Sequence, residues 1–100
     1  MKITIKDKDI ELKNKLRNIL IYEQITGKAF NPTTMTDMMV YMYSTILACE
    51  PTFDTAFNDF VDILDENPKL FADFNDWLLQ TNKINEQMKE ETEDTQKKLS

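Results

Sequence analysis

Among the 100 residues there is no histidine, and there are only one glycine, one cysteine and three prolines. The missing histidine removes the usual general base near neutral pH and the commonest metal ligand. Ser-His-Asp and Cys-His nucleophile arrangements are therefore excluded. Cys49 stands alone, so the chain can form no internal disulfide. A zinc site would have to be assembled from carboxylates or a single thiolate. The one glycine, Gly27, excludes an EF-hand among the acidic residues and a phosphate loop at "ITGK", residues 25–28. No hydrophobic run is long: the stretch without charge from Met38 to Cys49 is too short to span a bilayer as a helix. Met1 is followed by a polar, alternating run with no apolar core of a signal peptide. These absences predict a soluble, intracellular protein that is not an enzyme and carries no cofactor or metal.

What is present is a globular composition, 41% hydrophobic with 10% aromatic residues. The length suits about one domain. Charge is uneven. Residues 1–28 carry seven cations and four acids, a net of +3; residues 29–82 carry Lys69 and nine acids, a net of −8; residues 83–100 carry four and five, a net of −1. An acidic body argues against sequence-independent nucleic-acid binding, which needs clustered cations. The basic first segment is able to pair with the acidic middle, within one chain or between copies.

The pattern predicts a mainly α protein: a small N-terminal β-hairpin, about four helices in a compact bundle, and a polar tail. One globular domain covers 1–82 and the tail 83–100. In the hairpin, residues 2–13, Ile3 and Ile5 alternate with polar residues, as do Ile10 and Leu12. Pairing Lys6 with Asp9 sets Ile5 opposite Ile10 and Ile3 opposite Leu12, with Asp7-Lys8 as the loop. Two strands alone are marginal, so a helix or another subunit must cover that apolar face.

Helices are expected at about 15–26, 36–49, 54–66 and 68–80. Gly27 sits where the first must turn left-handed, and Lys28 suits its negative end. Leu16, Ile19 and Leu20 form one stripe, with Ile21, Tyr22 and Ile25 opposite, which predicts burial between layers. Glu23 falls in the first stripe. Either the helix is shifted, or Glu23 pairs with Arg17 or a free backbone N–H, or it is a polar anchor for a neighbouring loop. Thr34 and Asp37 have capping-box spacing before the second helix. Asp54 or Thr55 can cap the third, whose apolar stripe is Phe57, Phe60, Val61 and Leu64. Asn67 and Pro68 suit the start of the fourth, where Leu70, Phe71, Phe74, Trp77 and Leu78 recur at helical spacing.

Two clusters invite a functional reading. The acids Asp59, Asp62, Asp65, Glu66, Asp73 and Asp76 fit a solvated helix face better than a metal site. Met35, Met38, Met39 and Met42, interleaved with Tyr41 and Tyr43, make the second helix apolar on every side. They form either a central core helix or a partner-binding face, since methionine is flexible enough to accept varied apolar segments.

"ELKNKLRNILIYEQITGKAF", "TDMMVYMYSTILACEPT" and "FNDFVDILDENPKLFADFNDWL", in that order, resemble the tail assembly chaperones of long-tailed bacteriophages and their prophages. The resemblance rests on order and texture over roughly residues 1–80. It implies a small, mostly helical protein that binds and solubilises the tape measure protein and helps recruit tail tube subunits. Such a protein works in the cytoplasm of the bacterial host and is absent from the mature virion. The family has no catalytic residues. It often also makes a longer product by ribosomal frameshifting near the end of the short frame, where Lys97-Lys98 lies here. Met35, Met38, Met39, Tyr41, Met42 and Tyr43 are the expected partner-binding residues. The hairpin edges and opposite-signed segments allow a homo-oligomer without requiring one. The competing expectation is an acidic regulatory or inhibitory phage protein, a DNA mimic acting on a DNA-processing enzyme. Neither reading calls for nucleic acid or membrane as a partner.

Overall fold

The computed structural model describes residues 1–81; the expected tail at 83–100 lies outside them. The architecture is mainly helical behind an N-terminal two-stranded antiparallel hairpin. Strand β1 is Lys2–Ile5 and β2 is Lys8–Glu11. Helices α1 (Leu16–Thr26), α2 (Met35–Cys49) and α3 (Phe57–Glu66) follow, and a fourth helix, α4, occupies 68–81.

The hairpin register differs from the expected one by two residues. Ile3 pairs with Ile10 and Ile5 with Lys8, so the loop is Lys6-Asp7. Both loop residues have positive φ, 51° and 62°, the primed turn whose twist matches that of the strands. A slip of two preserves the side-chain face, whereas a slip of one would have turned it outward. Ile3, Ile5, Ile10 and Leu12 accordingly all lie buried, in one continuous core with the helices. The apolar face is thus covered within the chain.

Helix α1 lacks a side-chain cap at Lys15 and ends at Gly27, whose φ of 69° is left-handed and whose N–H bonds Glu23 O at 2.8 Å. Lys28 does not stay at the helix end. Its ammonium reaches Asp37 on α2 at 3.1 Å. The capping box at Thr34 and Asp37 forms as expected, and Asp37 also accepts from the N–H groups of Thr33 and Thr34.

Burial of α1 between two layers is corrected by the structure. Only Asn18 and Tyr22 are fully enclosed along this helix, on the side facing α2, while Leu16, Leu20 and Ile25 stand exposed. Helix α3 begins at Phe57 rather than 54, with no side-chain cap. The Thr55 carbonyl is engaged instead by the Tyr43 hydroxyl at 2.5 Å, which holds that segment extended against α2.

Phe60, Phe74, Met42, Ile46 and Tyr22 fill the centre. Aromatic rings link the elements: Tyr22 meets Phe30 edge-on at 5.2 Å, Phe30 meets Tyr41 at 4.9 Å, and Tyr41 meets Phe74 at 6.0 Å. Contacts of this kind add about 0.5–1.5 kcal/mol each beyond area burial. Among the described residues no helix is long and apolar enough to cross a membrane.

Candidate functional site

Between the start of α1, the connector after Gly27, the first turns of α2 and the end of α4 lies an open groove of about 820 Å³. Leu16 and Ile19 form one wall. Phe30 and Pro32 from the connector, with Met38 and Tyr41 from α2, form the floor and far side. Leu78 and Leu79 of α4 close the third side. The polar minority of the lining is Asn14, Lys15, Asn75 and Thr81, with Lys15 the one charged residue. The volume lies in the range of sites that accept apolar ligands, about 300–1,000 Å³.

Each wall has a local cause. Gly27 reverses the chain after α1. The Glu23 carboxylate then accepts the Phe30 N–H at 3.2 Å, which fixes the returning connector. Glu23 is therefore a backbone anchor for a loop, and through that bond it sets Phe30 against Tyr22 and Tyr41. Pairing with Arg17 does not occur among the described residues. Burial pushes the Tyr41 phenol above its ordinary pKa, with the neighbouring Asn18 side chain opposing the shift. Tyr41 thus remains neutral at physiological pH.

At the other end, the Lys13 backbone is clamped from two directions. The Asn18 side-chain amide donates to Lys13 O at 2.9 Å, and Cys49 Sγ accepts the Lys13 N–H at 3.2 Å. The strand-to-helix segment carrying Lys13 and Lys15 is consequently tied to both α1 and α2. Asn18 Oδ1 and the Tyr22 hydroxyl are buried with no hydrogen-bond partner among the described residues.

The six expected partner-binding residues do not share one surface. Met38 and Tyr41 line the groove. Met35 is 68% exposed at the first turn of α2, outside the groove lining. Met39 and Tyr43 are half-buried and pack against the core. Met42 has 0% exposure and faces the centre, so it offers nothing to a partner without unfolding. A helix apolar on every side must bury part of its circumference, and Met42 with Ile46 takes the inward side.

Sequence reasoning missed the other walls. Leu16 is 82% exposed and Leu79 61% exposed, and both stand at the groove mouth, with Leu20 exposed beside Leu16 on α1. The usable signal was the apolar residue set of α1, which exceeds what one helix packed on one side can bury. Of the acids on α3, Asp59, Asp62, Asp65 and Glu66 are exposed. Among the described residues no three metal-ligating side chains converge.

Compared with known proteins, the chain matches no family model, no curated protein and no solved structure.

Proposed function

We propose that the protein is a tail assembly chaperone that holds apolar helical stretches of a long partner, the tape measure protein, in the groove between α1, α2 and α4. The observation that carries this reading is a preformed, mainly apolar groove lined in part by Leu16 and Leu79, both exposed to solvent, with Leu20 exposed one turn beyond Leu16 on α1. Exposed leucines of this size, contiguous with a groove, mark an interaction surface rather than ordinary surface scatter. The arrangement suits helix-in-groove capture, in which a partner helix inserts side chains at i, i+3 and i+4.

One groove of this size gives a modest affinity. Many copies along one partner gain avidity without a tight individual site. The net charge of −6 keeps such a coated complex dispersed. The same reading has the protein recruit tail tube subunits, act in the bacterial host cytoplasm and leave before the virion is complete. Its work is binding, with no bond made or broken.

Co-expression with a tape measure protein tests the reading. Leu16→Asp combined with Leu79→Asp alters two exposed side chains and should leave the circular dichroism spectrum unchanged. Soluble tape measure protein should fall severalfold relative to wild type. Unchanged solubility with the folded double variant would remove the groove from the function.

A further inference from the structure

We infer, building on the groove reading above, that the natural occupant is an apolar helix of another polypeptide whose end beside α1 carries acidic side chains. Lys15 is the one charged residue lining the groove. Lys13 and Arg17 flank it in sequence and are exposed. None of the three joins an ion pair among the described residues, and neither does Lys6 in the hairpin loop, whereas Lys2, Lys8, Lys28 and Lys69 do. Of the 18 acids, 13 fall among the described residues, and none of those 13 pairs with this cluster. Glu23, the acid nearest in α1, is engaged by the Phe30 N–H instead.

Two further features keep this end of the groove positive and fixed. The first turn of α1 contains no acid and its N-cap supplies no side-chain acceptor, so the helix end retains its partial positive charge. The segment carrying Lys13 and Lys15 is held by Asn18 and Cys49, so little ordering remains to be done when a partner arrives. Apolar contact in the groove supplies affinity, while rim charges choose among apolar helices and set the direction in which one lies. A helix with carboxylates at the matching end is drawn in, and one with lysines there is repelled.

The test uses the full chain and two labelled amphipathic peptides sharing one Leu- and Phe-rich stripe, one ending in glutamates and the other in lysines. Fluorescence anisotropy should show the glutamate peptide binding about tenfold more tightly at about 50 mM salt, with the preference vanishing near 1 M. A Lys13→Glu, Lys15→Glu, Arg17→Glu variant should reverse the preference. Equal binding of both peptides that is lost in Leu16→Asp overturns the charge inference and leaves the groove reading standing. Absence of binding, or binding indifferent to Leu16→Asp, overturns both. Two outcomes would replace the foreign occupant. Tighter peptide binding in Ile84→Asp or Met88→Asp assigns the groove to the chain's own residues 82–100. A dimer in sedimentation that disperses in Leu16→Asp assigns it to a second copy.

Discussion

A few residues carry much of the geometry. Gly27 is the clearest: a Cβ built there meets nothing within 4 Å, yet φ is +69°. Steric room and backbone conformation therefore separate cleanly. Gly27→Ala is expected to cost about 1 kcal/mol through backbone strain alone, lowering the melting temperature by about 4–8 °C. An unchanged melting temperature would mean the turn relaxes to another conformation. The need for glycine was legible in the sequence, because a single glycine after a helical run has few other uses. The role of Glu23 was legible only as a pair of alternatives. Which backbone N–H it meets depends on where the connector returns, and no local pattern encodes that. Met42 shows the same limit from the other direction: chemistry alone did not tell an inward methionine from one at the surface.

At the level of elements, hydrophobic periodicity located the hairpin and the helices, and turn chemistry decided the errors. The hairpin loop was misplaced because neither Lys6-Asp7 nor Asp7-Lys8 contains the glycine that advertises a primed turn. Non-glycine residues held at positive φ cost about 1 kcal/mol or more each. Asp7→Gly should therefore raise the urea midpoint, by the equivalent of roughly 0.5–1 kcal/mol after the added chain entropy of glycine is deducted. A lower midpoint would show that the Asp7 side chain contributes something the backbone does not reveal. The start of α3 was misplaced because Thr55, a plausible cap by residue type, is diverted by the Tyr43 hydroxyl. The walls of the groove were invisible for a related reason. An apolar stripe on α1 predicts burial, and only the packing of its neighbours reveals that Leu16 and Leu20 are left uncovered.

For the molecule as a whole, three carboxylates connect stability to acidity. Asp37 has its pKa lowered chiefly by the hydrogen bond from Lys28, Asp9 by Thr4 and Lys2, and Glu50 by Thr52 and Lys8. Each binds its proton less tightly in the folded chain than at its ordinary value. Their stabilisation is therefore present above the ordinary carboxylate range, about pH 4, and is lost as the pH falls through the lower folded values. Urea midpoints should be flat through neutrality and drop on acidification towards pH 3 or so, with the drop reduced in Asp37→Asn. A midpoint that rises on acidification would contradict these assignments. The link between Lys28 and Asp37 also joins the residue just past the end of α1 to the first turn of α2.

Phe30 belongs at once to the aromatic centre and to the groove surface. Core cohesion and groove shape thus share one ring. The groove cannot be reshaped at that point without loosening the body that supports it, so on the proposed reading any diversification of its occupants has to come from the exposed leucines Leu16 and Leu79.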